Sequence, residues 1–367
     1  MTPSRLLLTA CLILTASAFA AEPEHDRETI ASDLEHPWSL AFLPDGRKLV
    51  TERAGRLRVI DDGELRDAPV DGVPEVYVKS QAGLFDVVPH PDWEDNGWIY
   101  LSFAHGTDSA NTTRVIRGRL ENNTLTDVET IFTAEPTRST PVHFGGRMLF
   151  RPDGTLLITL GDGFDYREQA QRLDNHLGTV IRVTDEGGVP ADNPYANAAD
   201  ARPEIFSHGH RNVQGIVHDP DTDTLWAHEH GPRGGDELNI LFPGSNYGWP
   251  VATHGVDYSG ARITPHKTLP GMEDPIHVWT PAIAPAGLAQ YRGDAFPELE
   301  GDLLIAGLVS RDIIRVHLDD LDVVETSRLF DDLDRRMRDV RVGPDGAIYL
   351  LTDHSDGELI RITPTDE

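Results

Sequence analysis

The sequence predicts an all-β chain folded as one six-bladed β-propeller, with long loops at one face forming the functional site, and three observations carry that reading. A short unit recurs six times: an apolar run, a Pro-Asp-Gly-type turn, and a second apolar run. Nothing with the 3.6-residue period of a long amphipathic helix interrupts the copies. Gly (33) and Pro (26) are abundant among the 367 residues, as many tight turns require.

Taken in order, the copies are SLAFLPDGRKLVTE around Pro44, DVVPHPDWEDNGWIYLSF around Pro91, RMLFRPDGTLLITLGD around Pro152 and GIVHDPDTDTLWAHE around Pro220. A degenerate copy, QYRGDAFPELEGDLLIAGL, surrounds Pro297, and DVRVGPDGAIYLLTD surrounds Pro344. Proline presets φ at the second position of a turn and Asp or Gly tolerates the next, so each copy is a hairpin signal. The flanks are rich in Val, Ile, Leu, Phe and Tyr and alternate in part, as strands do. Intervals of about 50–75 residues are too wide for a solenoid but suit blades of four strands. A pair of β-sandwiches is the bland alternative, and it does not call for one recurrent turn over the whole length. The ring is expected to close with the first and last strands sharing a blade.

Residues 1–20 read as an export signal: Arg5, the apolar run Leu6 to Leu14, and an A-x-A cleavage site at Ala18-Phe19-Ala20. The expected location is periplasmic or secreted. Leu8-Thr9-Ala10-Cys11 also has the form of a lipoprotein-processing site, so a lipoprotein through Cys11 is the lesser alternative. No other stretch approaches the roughly 18 apolar residues of a membrane span. Residues 21–35 are expected as an N-terminal lead-in, and 36–367 as the single propeller domain.

The charge excludes whole classes of partner. With 61 acidic and 32 basic residues the net charge is −29, so the chain repels a nucleic-acid backbone. One cysteine excludes a disulfide framework. Against that background, Arg335-Arg336-Met337-Arg338 is a local anion-binding spot, unless it only pairs with Asp331, Asp332 and Asp334.

Polar residues concentrate between about residues 162 and 215 and between 228 and 285, outside the repeats, where scaffold loops carry function. In Val142-His143-Phe144-Gly145-Gly146-Arg147, His143 precedes a repeat strand, and Asp162 ends the same hairpin. The hairpin returns Asp162 toward His143, and a carboxylate on one imidazole nitrogen leaves the other as a base. A purely structural histidine is the competing reading. His208-Gly209-His210-Arg211-Asn212 and His228-Glu229-His230-Gly231-Pro232 lie near Asp236 and Glu237, which invites zinc or calcium.

In combination these segments resemble the soluble aldose sugar dehydrogenases of the glucose/sorbosone dehydrogenase group, from about residue 36 to the C-terminus. The motifs are HFGGR, LDNHLGTVIRV, GHRNVQG, EHGPRGGDELN, NYGWP and RDVRVGPDG, in the family's order. The resemblance implies a propeller that uses pyrroloquinoline quinone (PQQ), a tricarboxylate, and calcium (Ca2+). It implies oxidation of the anomeric carbon of aldoses to lactones, with electrons passed to an external acceptor. His143 matches the general base, Asp162 the residue orienting it, and Arg211 a group near the quinone carbonyls. Gln81, Asn212, Tyr258, Arg336 and Arg338 match cofactor contacts. Gly231 and Pro232 match carbonyls that hold the calcium beside PQQ, while Glu237 and Tyr247 resemble ligands of a second, structural calcium. Relatives carry a cofactor-contacting lysine after the Gly-Leu of the fifth repeat. This chain has Gly307-Leu308-Val309-Ser310-Arg311, so either Arg311 takes that role or PQQ binds more weakly. The rival readings are a metal-dependent lactonase or hydrolase and a non-catalytic carbohydrate-binding propeller. Either a monomer or a homodimer is compatible with the sequence.

Overall fold

Each Pro-Asp-Gly-type copy turns the chain between the first and second strands of one sheet. Pro44 lies between strands Pro37–Phe42 and Lys48–Glu52, and Pro344 between Met337–Val342 and Ile348–Thr352. The computed structural model describes residues 22–365. The expected export signal, with Cys11, lies outside the described residues. Among those described, twenty-four strands form six four-stranded antiparallel sheets, a six-bladed propeller. The α-helix content is one four-residue turn, Trp93–Asn96. No helix among the described residues is long and apolar enough to cross a membrane.

The ring closes through the first and last described strands. Strand His25–Leu34 pairs antiparallel with Gly357–Pro364, from His25 opposite Pro364 to Leu34 opposite Gly357. Most of the segment expected as a lead-in is therefore the outermost strand of the last blade.

Most apolar packing lies between blades, and a smaller buried cluster joins Trp38, Phe85 and Phe144. Six buried clusters each join neighbouring sheets, such as Leu49 and Val59 against Leu84 and Ile99, or Ala286 and Leu304 against Val340 and Ile348. This is face-to-face sheet packing repeated around a circle. The innermost strands instead turn polar groups to the axis. Arg147 is buried there, 3.0 Å from Asp339 and 3.5 Å from Asp86, and Asp86 accepts the Met148 N–H at 2.8 Å. Removing one partner would leave a buried charge uncompensated.

Antiparallel alternation then fixes where function can sit. The Pro-Asp-Gly turns all fall at one end of the ring. The blade-to-blade connections and the turns between second and third strands fall at the other. Gln81, His143, Asp162, Arg211, Gly231 and Arg336 all lie in segments of that second kind.

Candidate active site

His143 lies in the connection between the second and third blades, with its backbone in the left-handed region at φ +53°. For a non-glycine residue that conformation costs about 1–3 kcal/mol. Two neighbours hold it there. The His143 N–H donates to Gln81 Oε1 at 2.8 Å, and Arg138 donates to the His143 carbonyl at 3.0 Å. The glycines of the motif have a spatial reason. A Cβ on Gly145 would stand 2.5 Å from the Thr159 carbonyl oxygen, and one on Gly161 would stand 2.2 Å from that of His143. Only glycine lets the two segments touch, and that touch brings Asp162 to the histidine.

His143 Nδ1 lies 2.7 Å from Asp162 Oδ1, both residues being buried. The carboxylate also accepts the Phe164 N–H at 2.7 Å and, on Oδ2, the Trp249 indole N–H at 2.8 Å. Burial opposes ionisation of Asp162, but the bond to His143 and the charges of His143 and Arg211 outweigh it, leaving the carboxyl below its ordinary range. Burial pushes the imidazole of His143 down from 6.5; the Asp162 bond resists, and Arg211 and Arg138 add to the fall. His143 is thus neutral near pH 7, with Nδ1–H on the carboxylate. Among the described residues Nε2 has no hydrogen-bond partner, which is the state of a base awaiting a substrate proton.

Two cavities flank this dyad. The first, of about 220 Å³, is lined by Trp38, Phe85 and Phe144 and by the polar groups of Arg53, Gln81, Asn212, Arg336, Arg338 and Asp353. Arg336 and Arg338 each approach Asp353 Oδ2 at 3.1 Å. Burial opposes ionisation of Asp353, yet Arg338, His36 and Arg336 together hold it far below the usual carboxylate range. The second cavity, of about 300 Å³, is lined by Asp162, Phe164, Arg211, Pro232, Trp249 and Tyr258, among others. Phe164 and Tyr258 stack with ring centroids 6.2 Å apart. Arg211 donates to the carbonyls of Gly231 at 2.7 Å and His230 at 3.1 Å, with its guanidinium 5.3 Å from the Trp249 ring centre.

The structure gives Arg311 a different setting from the one expected of it. Its side chain pairs with Asp334 at 3.2 Å, in an outer hollow with Arg335 and His354, and it lines neither cavity. The nearby acidic run captures it. Val309 is exposed and makes no charged replacement.

A third space, of about 10 Å³, holds little more than one small particle and is bordered by Glu229, Glu237, Gly231, Gly235, Tyr247 and Thr253. Burial, followed by the charge of Glu229, pushes the Glu237 carboxyl well above its ordinary value, a penalty that a cation would remove. The Tyr247 hydroxyl donates to the Ile240 carbonyl at 2.6 Å and accepts the Phe242 N–H at 2.8 Å. Tyr247 could therefore serve a metal only through its main-chain carbonyl. Among the described residues, no group of three or more His, Cys, Asp or Glu side chains is disposed to hold a metal. Zinc chemistry lacks its ligand set here, whereas calcium accepts carbonyl oxygens.

Residues 34–361 match the family model described as Glucose / Sorbosone dehydrogenase. The chain belongs to that family. It is 42% identical to the aldose sugar dehydrogenase of Escherichia coli strain K12, over 97% of this chain and 98% of the relative. The crystal structure of the soluble aldose sugar dehydrogenase from Escherichia coli in the apo-form superposes with a TM-score of 0.90, covering 93% of this chain and 100% of that one. The PQQ-bound form of aldose sugar dehydrogenase from Streptomyces coelicolor, 27% identical, superposes at 0.76 over 93% of this chain and 100% of its own. The glucose/sorbosone dehydrogenase member described here is accordingly an enzyme, an oxidoreductase of the sugar dehydrogenase class.

Sequence reasoning missed several residues of this candidate site. Trp38, Arg53 and Asp353 line the first cavity, Arg138 holds the His143 backbone, and Trp249 holds Asp162. Trp249 lay within the NYGWP motif, but nothing in the motif says which carboxylate its indole reaches. Arg53 and Asp353 follow strands of different blades and meet only once the ring has closed.

Proposed function

We propose that the chain is a PQQ- and calcium-dependent aldose sugar dehydrogenase, oxidising the anomeric C1 hydroxyl of an aldose to the lactone and passing electrons to an external acceptor. The observation that carries the reading is a neutral, carboxylate-anchored His143 flanked by two cavities of different chemistry. One is aromatic at its base with three guanidiniums against a single carboxylate, which fits a planar polyanion. The other has stacked rings beside hydrogen-bonding groups, which fits a sugar.

The donor set fits both groups. Arg336 and Arg338 would hold PQQ carboxylates, while Gln81 and Asn212 would present amides to it. Tyr258 and Arg211 would border its substrate side. The Gly231 and Pro232 carbonyls would hold the adjacent calcium, with the Gly231 oxygen shared with Arg211. Glu237, with Glu229 and the Tyr247 carbonyl, would hold a second calcium. When bound, PQQ supplies a two-electron acceptor for the anomeric hydride, and calcium a Lewis acid at its oxygens.

The chain's own residues do the rest. His143 Nε2 takes the proton of the C1 hydroxyl while Nδ1–H stays on Asp162, whose charge stabilises the imidazolium that forms. Trp249 and the Phe164 N–H fix that carboxylate, so the imidazole is oriented before substrate arrives. Arg211, preorganised by two carbonyls, stabilises negative charge developing beside it. Phe164 and Tyr258 pack on the sugar ring and exclude water. The export signal would deliver the enzyme to the periplasm or the medium, where aldoses are met directly.

The test is dye reduction by apo-protein given PQQ and calcium, with glucose and other aldoses. Reduction that requires both additions supports the reading. Absence of reduction with every aldose, alongside metal-dependent lactone hydrolysis, would overturn it in favour of a lactonase.

A further inference from the structure

Arg53 is a guanidinium of the first cavity that no motif marks. Arg336 and Arg338 share Asp353, whereas among the described residues the Arg53 side chain makes no hydrogen bond or ion pair within the protein. Its place is nonetheless built. The residue directly follows strand Lys48–Glu52, and its main chain is locked: the N–H donates to the His36 carbonyl and the carbonyl accepts the Leu84 N–H, both at 3.1 Å. Gly83 cradles the side chain, since a Cβ there would stand 2.3 Å from Arg53 Cγ and 2.3 Å from the Arg53 carbonyl oxygen. Gly83 has no positive φ, so crowding by Arg53 is what demands glycine at this position.

The neighbouring acid does not neutralise Arg53. Glu52 is buried, bound to Arg56 at 2.6 Å and near Arg58 at 3.4 Å, and it also accepts the Glu35 N–H at 2.6 Å. The cavity therefore presents Arg53, Arg336 and Arg338 against Asp353 alone, a local positive excess in a chain of net charge −29. Arg53 is also close enough to Arg338 for its charge to lower that residue's pKa, after burial and other groups. An ordinary surface arginine would be free to swing toward solvent acids. This one is held by its stem beside two like charges, an arrangement that an anionic ligand relieves.

We propose that Arg53 is a third anion-binding group of the central cavity, receiving a carboxylate of the bound cofactor. The inference rests on the PQQ reading above. The test measures affinity rather than turnover: apo-protein with calcium is titrated with PQQ and with PQQ trimethyl ester, following tryptophan fluorescence and heat. Wild type is compared with R53A, R53Q and R53K, and thermal midpoints are recorded. Loss of one charge-assisted contact should raise the PQQ Kd of R53A and R53Q roughly 10- to 100-fold, with R53K recovering part of it. The gap should narrow at high salt and vanish for the ester, which has no carboxylate charge. The R53Q and R53K thermal midpoints should stay near wild type, because they keep the stem that packs on Gly83 and the guanidinium makes no hydrogen bond or ion pair within the described protein. R53A and R53Q binding PQQ within twofold of wild type would overturn the role of Arg53 and leave the PQQ reading standing. Wild type failing to bind PQQ would overturn both.

Discussion

Two buried histidines, each bound to a carboxylate through Nδ1, sit at successive blade connections and differ at their other nitrogen. His143 reaches Asp162 at 2.7 Å and His210 reaches Glu229 at 2.9 Å. His210 Nε2 is engaged by the Ser207 hydroxyl at 2.9 Å, and its ring stacks on Tyr247 with centroids 4.5 Å apart. Ser207, His210 and Glu229 thus reproduce the order of a Ser-His-acid relay, yet Ser207 is fully buried and neither it nor His210 borders a cavity. His143 Nε2 has no such partner, and although His143 itself lines neither cavity, Phe144 beside it lines the first and its partners Asp162 and Phe164 line the second. A carboxylate-bound imidazole becomes a base only where its second nitrogen is left for a substrate. Where that nitrogen is satisfied, the same pair is a strut.

Breaking the first pair should have the largest effect. H143A removes the proposed proton acceptor, and turnover with added PQQ and calcium should fall roughly 100- to 10,000-fold, measured by dye reduction. D162N keeps the ring but loses the charge that orients it and stabilises the imidazolium, with an expected drop of about 100-fold. The sign of its pH effect follows from the environment. Asp162 raises the His143 pKa against burial, so removing its charge should shift the acid limb of kcat/KM to lower pH. The wild-type limb should itself lie below 6.5. W249F removes one donor to Asp162 and should lower kcat about 10-fold, with a smaller change in KM. The smallest catalytic effect belongs to the second pair. S207A should leave turnover within a fewfold of wild type while destabilising the fold by about 1–3 kcal/mol, read from urea unfolding, because it leaves a buried imidazole nitrogen unpaired.

The architecture was legible because it is written in local turn chemistry. Pro44, Pro152 and Pro344 each sit in a Pro-Asp-Gly turn that needs no distant contact to be recognised. Those turns mark the end of the ring remote from the candidate site, so the clearest repeat says least about function. His143 and Asp162 were legible for a related reason: one hairpin joins them, and the glycines that let its arms touch stand beside them. Arg53, Asp353 and Trp249 were not, because their partners come from other blades and depend on how the ring closes. Arg311 shows the opposite failure. The resemblance to relatives with a lysine nearby offered Arg311 as one of two alternatives, the other being weaker PQQ binding, but its backbone takes φ +64° and its guanidinium goes to Asp334. A carboxylate in the connection to the next blade holds it.

The strand that seals the ring also sets an order of assembly. Contacts there span nearly the whole polypeptide, as with Arg27 and Asp332, 305 positions apart. Bringing such distant points together costs about 5 kcal/mol of chain entropy, which no neighbouring contact offsets in advance. Five blades can form from segments as they become available, but the sixth must wait for strand His25–Leu34 to meet Gly357–Pro364, so its completion falls late and depends on the others being in place. Because His25 stands opposite Pro364, linking those two strands and opening the chain at another blade boundary would move the late step to a different seam while leaving the finished ring unchanged.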